Sequence, residues 1–134
     1  MGAGVLQPVF TLSVGPELIQ GQRPGSTNEL YVARSLDRLR HRYIYQYIVF
    51  DVRGVRGDYR IDFLVLTTVP LPTPLEVFGE FWHEGEMGAE DQFRLAQINE
   101  ELLGEANEVA VIWGRESSTP ELAYAAVIDK VGAA

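Results

Sequence analysis

The sequence contains no cysteine and a single lysine, Lys130, among its 134 residues. The absence of cysteine excludes disulfide bonds, a cysteine nucleophile and thiolate zinc sites, and it agrees with a reducing compartment. No apolar run approaches the roughly 18 residues of a membrane span, and no charged-then-apolar signal segment opens the chain. We therefore expect a cytoplasmic protein without a membrane partner.

The composition is that of an ordinary globular protein, with 46% hydrophobic and 22% charged residues. A chain of this length builds one hydrophobic core but not two. We predict an irregular extension over residues 1–25, in which residues 9–14 could form a short strand, and a single domain over residues 26–134. The breakers in the extension include Pro16, Gly21, Pro24 and Gly25.

The net charge of −8 opposes nucleic-acid binding, but the charge is distributed unevenly. Residues 1–61 carry eight basic and five acidic residues, whereas residues 62–134 carry three and fourteen. Phosphate contacts depend on local clusters of basic groups, and arginine binds phosphate through two nitrogens. The candidate nucleic-acid ligands are Arg34, Arg38, Arg53, Arg56 and Arg60. The four-residue spacing of Arg34, Arg38 and Arg42 fits the solvated face of a helix equally well.

The pattern of elements predicts an α/β fold with a mixed central sheet flanked by helices, in the order α-β-β-β-α-β-α. Ser26 is a good helix cap, and Pro120 suits the first turn of the last helix. Three prolines exclude residues 67–74 from a central strand. The predicted elements are a helix from 27 to about 41, strands over 43–50, 59–66 and 75–82, a turn over 51–58, a helix over 89–103 with Phe93 on its apolar face, a doubly buried strand over 108–113 and a final helix.

Four ionisable residues interrupt or follow the second and third predicted strands. Asp62 lies in an apolar run, and Glu76, Glu80 and His83 follow on the next strand. A buried carboxylate is costly unless it is paired, protonated or bound to a cation. Adjacent strands that each present a carboxylate are a common way to hold a divalent metal ion.

Structural interpretations of the same residues remain open. Asp62 could form an ion pair with Arg60 or Arg53. Glu76 and Glu80 could lie on the solvated face of an edge strand, and His83 could be an ordinary residue at a strand end. Ion pairs with purely structural roles recruit such groups as well.

The order of these motifs resembles the restriction-endonuclease-like superfamily with PD-(D/E)XK active sites. A glutamate in the first helix, Arg60-Ile-Asp-Phe63 and Gly79-Glu-Phe-Trp-His83 are most similar to the very-short-patch mismatch-repair endonucleases and their relatives. The resemblance covers residues 26 to about 133. It implies a metal-dependent nuclease that hydrolyses DNA, of a minimal phage or mobile-element type.

The resemblance also implies roles for individual residues. Asp62, Glu76 and Glu80 would bind Mg²⁺ or Mn²⁺, Glu29 would assist from the first helix, and His83 would act as general base or acid. Phe78 stands where the superfamily has lysine, and the zinc-binding set of the repair enzymes is missing. Two alternatives therefore stay open: a junction-resolving homodimer, and a catalytically degenerate nuclease-like fold that serves in assembly.

Overall fold

The computed structural model describes residues 17–50, 59–78 and 87–134. These residues form an α/β fold in which three helices flank a four-stranded mixed sheet, as the sequence predicts. The elements in chain order are α1 (Thr27–Arg38), β1 (Tyr43–Phe50), β2 (Tyr59–Val65), β3 (Thr73–Val77), α2 (Ala89–Glu101), β4 (Ala110–Ile112) and α3 (Pro120–Val131), with a short 3₁₀ helix at Gly114–Glu116.

The strands lie in the order β1-β2-β3-β4. β2 is antiparallel to both β1 and β3, whereas β3 and β4 are parallel. Phe63 of β2 lies opposite Tyr45 of β1 and Leu75 of β3. The parallel pair is joined through α2, because parallel neighbours need a crossover connection.

The buried side chains form two clusters, which correspond to the two faces of the sheet. The larger cluster joins α1 and α3 to the sheet and includes Leu36, Phe63 and Val127, each fully buried. The smaller one joins α2 to the sheet through Leu95 and Ile98. The sheet is therefore the middle layer of three, and groups at its ends can be reached from helices on both faces.

Local capping explains where the helices begin. The Ser26 side chain accepts a hydrogen bond from the backbone N–H of Glu29, and the Thr119 side chain accepts one from Leu122. Proline at the first position of α3 costs no hydrogen bond, because a backbone N–H at that position would have no acceptor within the helix. Both predicted helix starts are confirmed.

The first helix is shorter than predicted. It ends at Arg38, and Arg40 has a positive φ of 67°. His41 is then buried, with Nδ1 2.7 Å from Thr67 Oγ1 and Nε2 2.6 Å from the carbonyl oxygen of Gly132. These tertiary contacts turn the chain toward β1 before the helix reaches the predicted end.

The prediction that residues 67–74 cannot belong to a central strand was wrong at its last two positions. Thr73 and Pro74 begin β3, which lies between β2 and β4. Pro74 pairs with Leu64 on the β2 side, but the ladder to β4 starts only at Leu75. Proline is tolerated near the start of a strand, where one neighbour is missing.

Two burial predictions were also wrong. Phe93 is 60% exposed, since α2 packs through Leu95 and Ile98 instead. The strand predicted over 108–113 is three residues long and lies at one edge of the described sheet. α2 also ends at Glu101, two residues before the predicted end.

No helix within the described part of the chain is both long and apolar enough to cross a membrane. The predictions for residues 1–16, for the turn over 51–58 and for the segment 79–86 concern residues outside those that the structure describes.

Candidate functional site

Asp62 and Glu76 lie side by side on the adjacent antiparallel strands β2 and β3. The ladder between the two strands ends with Phe63 opposite Leu75, and Asp62 and Glu76 are the next residues beyond it. The backbone N–H of Asp62 donates to Glu76 Oε2 at 3.2 Å, and the backbone N–H of Val77 donates to Asp62 Oδ2 at 2.8 Å. Each carboxylate thus accepts a hydrogen bond from the backbone of the neighbouring strand, so the main chain brings the two acids together.

Both acids are held in conditions that disfavour two negative charges. Glu76 is 4% exposed and Asp62 is half-buried. Burial, together with the negative charges of Glu76 and Glu29, raises the pKa of Asp62 to about 8. Burial also raises the pKa of Glu76, although the Arg94 guanidinium opposes this rise. Among the described residues, no basic side chain lies at ion-pair distance from Asp62. The pair is therefore suited to sharing a proton or binding a cation.

Glu29 approaches the pair from the first turn of α1. The Tyr45 hydroxyl on β1 donates to Glu29 Oε1, and the backbone N–H of Gly25 donates to the same hydroxyl at 3.0 Å. A Cβ atom at Gly25 would lie 2.9 Å from both carboxylate oxygens of Glu29, so a larger residue there would displace this acid. Glu29 thus brings a third negative charge close enough to affect the pKa of Asp62.

Arg94 on α2 supplies positive charge to the site. Its Nη2 lies 3.2 Å from Glu76 Oε1, and its Nη1 lies 3.5 Å from Oε2. Nη1 also donates to the carbonyl oxygen of Arg60 at 3.0 Å, and Nη2 lies 3.5 Å from Asp91 Oδ1. Burial lowers the pKa of the Arg94 guanidinium, but the carboxylates of Glu76 and Asp91 together more than offset this effect and raise the pKa. Arg94 therefore ties α2 to both β2 and β3.

The described arginine candidates lie in different surroundings. Arg60 is exposed and lies two residues before Asp62 on the same strand, and its carbonyl oxygen accepts a hydrogen bond from Arg94. Arg34 forms an ion pair with Asp37 at 3.6 Å, and the Arg38 guanidinium lies 4.2 Å from the centre of the Tyr124 ring. Of these three, Arg60 is the one that shares a strand with Asp62.

Arg34 also lines an open groove with a volume of about 620 Å³ beside Arg42 and Tyr43. Burial and the Asp37 carboxylate raise the pKa of Tyr43 to about 12, so this hydroxyl keeps its proton. The groove lies at the start of β1, whereas the acids lie beside its middle. It is therefore a separate feature of the surface.

Phe78, where the resemblance would place a lysine, is a core residue. It is 6% exposed, and its ring centre lies 5.4 Å from that of Trp113. The structure thus explains why a charged side chain is absent here. Four predicted site residues, namely Arg53, Arg56, Glu80 and His83, lie outside the described residues, and their roles stay predictions.

Three participants were missed in the sequence. Arg94 contacts Glu76, Tyr45 contacts Glu29, and Gln46 Nε2 lies 3.5 Å from Asp62 Oδ1. One signal was available for Arg94, since it is one of three basic residues among fourteen acidic ones in the second half of the chain. Nothing in the sequence distinguishes Tyr45 and Gln46 from ordinary strand residues.

Within residues 17–50, 59–78 and 87–134, no group of three or more histidine, aspartate or glutamate side chains has an arrangement that could hold a metal ion. Comparison with protein-family models, with curated proteins and with solved structures finds no match to this chain.

Proposed function

We propose that this chain is a metal-dependent nuclease that hydrolyses phosphodiester bonds of DNA, with Asp62 and Glu76 as ligands of Mg²⁺ or Mn²⁺. The observation that carries the proposal is the side-by-side placement of these two carboxylates on adjacent strands. The backbone N–H of Asp62 donates to Glu76, and the backbone N–H of Val77 donates to Asp62. The raised pKa of Asp62 supports it, because a cation would relieve the repulsion that the three acids exert on one another.

The donor chemistry fits a hard divalent cation. Both described donors are carboxylates, and Mg²⁺ prefers carboxylate and water oxygens while usually keeping several waters. We expect Glu80 to add a carboxylate and Glu29 to assist from α1. When bound, such an ion lowers the pKa of a coordinated water and stabilises charge on a phosphate.

The remaining roles follow from the residues of the chain itself. His83, with a reference pKa near 6.5, would take or donate the proton at the reacting oxygen. Arg60, exposed two residues before Asp62 on β2, would bind a DNA phosphate next to the acids. Arg53 and Arg56, in the segment for which the sequence predicts a turn, would extend this basic surface. Arg34 and Arg38 would contribute only to a more distant contact.

A second candidate function is a nuclease-like fold that has lost catalysis and serves in assembly. The Arg94–Glu76 ion pair favours it, because a guanidinium already compensates the charge of one of the two acids. The buried Phe78 in place of a lysine points in the same direction. In this alternative the acidic cluster stabilises contacts between α2 and the sheet and binds no cation.

The test compares the wild type with Asp62→Asn and with the control Asp129→Asn, whose side chain is 78% exposed on α3. Mn²⁺ binding is measured by calorimetry, and cleavage is measured on linear, nicked and branched DNA and on RNA. We expect Asp62→Asn to lose both activities and Asp129→Asn to retain both. A folded wild type that neither binds Mn²⁺ nor cleaves any substrate would contradict the nuclease proposal and support the assembly alternative.

The substrate panel also separates the two nuclease hypotheses. Cleavage of branched DNA in strong preference to linear duplex, by a protein that sediments as a dimer, would identify a junction-resolving homodimer. Cleavage of linear duplex with similar efficiency would identify a general endonuclease.

A further inference from the structure

Arg94 occupies the side of Glu76 that faces α2, and it engages both carboxylate oxygens. The distances are 3.2 Å from Nη2 to Oε1 and 3.5 Å from Nη1 to Oε2. The Arg94 side chain is 24% exposed and the Glu76 side chain 5%, so the pair is largely removed from water. Two nitrogens facing two oxygens is the geometry in which arginine binds carboxylate most strongly.

This ion pair conflicts with cation binding at the same carboxylate. Glu76 Oε2 already accepts a hydrogen bond from the Asp62 backbone, so the guanidinium and that N–H together occupy much of the carboxylate's capacity. A divalent ion bound to Glu76 would also stand close to the positive charge of Arg94, and repulsion between like charges is strong where water is largely excluded.

The surroundings of Arg94 offer it an alternative position. Asp91 lies one turn earlier on the same helix, and its Oδ1 is 3.5 Å from Nη2. The carbonyl oxygen of Arg60 accepts from Nη1 at 3.0 Å. The guanidinium can therefore leave Glu76 and still keep a carboxylate within reach.

We propose that Arg94 is an intramolecular counter-ion that occupies Glu76 until a divalent cation binds at Asp62 and Glu76 and displaces it. This inference rests on the proposed function, since it requires that the two acids bind a cation. Arg94 is then a positioning residue: it holds Glu76 in place in the cation-free protein and lowers the affinity of the site for the ion.

The test measures Mn²⁺ binding by calorimetry for the wild type, Arg94→Gln and Arg94→Lys. Arg42→Gln serves as the matched control, because it removes the same charge from an exposed position at the start of β1. We expect Arg94→Gln to bind Mn²⁺ at least about tenfold more tightly than the wild type. Arg94→Lys, which keeps the charge without the two-nitrogen geometry, should fall between them, and Arg42→Gln should match the wild type.

A second readout follows the guanidinium directly. In ¹⁵N spectra, the Arg94 side-chain signals, assigned by their loss in Arg94→Gln, should shift on addition of diamagnetic Mg²⁺. If Arg94→Gln is unstable without a cation, its thermal unfolding in EDTA should occur at a lower temperature than that of the wild type. Mn²⁺ should then stabilise it more than it stabilises the wild type, because the tighter-binding protein gains more.

The outcomes separate this inference from the proposed function. Equal Mn²⁺ affinity in the wild type and Arg94→Gln, lost from both on Asp62→Asn, would overturn the counter-ion role alone. Weaker binding by Arg94→Gln would also overturn it, since Arg94 would then assist the cation. No binding by either folded protein would overturn both proposals, whereas binding by Arg94→Gln alone would support the counter-ion role strongly.

Discussion

The backbone N–H of Val77 donates a 2.8 Å hydrogen bond to Oδ2 of Asp62, one residue beyond the carboxylate of Glu76. A main-chain donor on one strand thus fixes the side chain of an acid on the next. Because the sheet itself provides the donor, the position of Asp62 does not depend on a bound ligand. The acids are preorganised at the cost of keeping like charges close together.

That cost makes the stability of the protein depend on pH. The pKa of Asp62 rises from 3.8 to about 8 on folding. Between about pH 4 and pH 8 the unfolded chain therefore releases a proton that the folded protein retains, and stability falls as the pH rises. Asp62→Asn removes this penalty, so we expect it to be more stable than the wild type by about 1 kcal/mol or more at pH 8, with little gain at pH 4.

Urea unfolding in EDTA at both pH values measures this difference. Asp129→Asn, in which the altered side chain is 78% exposed, should change stability by little at either pH. A gain for Asp62→Asn that was the same at pH 4 and pH 8 would show that titration of Asp62 is not its cause.

The contact between Tyr45 and Glu29 should stabilise the fold as well as position the acid. Tyr45 is 3% exposed, and its hydroxyl donates to Glu29 while accepting from Gly25. Burial and the hydrogen bond to Glu29 raise the pKa of Tyr45 to about 12, which keeps the donor protonated. We expect Tyr45→Phe to cost about 1.5–3 kcal/mol, the range for hydrogen bonds to charged groups.

A double-mutant cycle with Glu29→Ala isolates this contact in chemical denaturation. The coupling energy should be at least about 0.5 kcal/mol, the lower bound for residues in contact. Strictly additive effects of the two substitutions would mean that the hydroxyl stabilises the protein through Gly25 alone.

Phe63 is one of the largest fully buried side chains and belongs to the larger hydrophobic cluster. This residue is fully buried between β1 and β3, with its ring centre 5.1 Å from that of Tyr45 and 5.5 Å from that of Tyr43. Phe63→Ala should cost about 3–5 kcal/mol because it leaves a cavity. Phe93→Ala, the same change at a side chain that is 60% exposed, should stay within about 0.5 kcal/mol of the wild type. A large loss at Phe93 would indicate that this ring is covered in solution.

The start of α3 depends on a single side chain. Thr119 Oγ1 accepts from the backbone N–H of Leu122 at 3.1 Å, so Thr119→Ala should lower stability by about 1 kcal/mol in thermal or chemical unfolding. Ser118→Ala removes a hydroxyl from the preceding exposed residue and should have little effect. Equal losses in the two variants would show that the cap contributes nothing specific.

The elements that follow from local chemistry were predicted well. The strand over residues 43–50 has the predicted bounds, because its aromatic and β-branched side chains favour extended backbone. The cap Ser26 and the place of Pro120 in the first turn of the last helix were also predicted correctly, since these signals act within a few residues of the helix start. The assignment to a nuclease superfamily stays a prediction.

The predictions were wrong where residues far away in the sequence determine strand pairing or burial. Pro74 can belong to a central strand because the pairing of β3 with β4 starts only at the next residue, Leu75. Phe93 is exposed because α2 turns Leu95 and Ile98 toward the sheet. Arg94 was missed for the same reason, since its partner Glu76 is 18 residues away in sequence. Sequence periodicity carries no information on which helix covers which strand.

The sequence by itself determined the kinds of element, their order and the carboxylates available for chemistry, because propensity, capping and charge are local properties of the chain. Only the tertiary structure decided which of those charges meet. The antiparallel register of β2 and β3 places Asp62 beside Glu76, and the packing of α2 brings Arg94 to them. The physical reason is that hydrogen-bonded register and helix packing set distances between residues that the order of the chain leaves far apart.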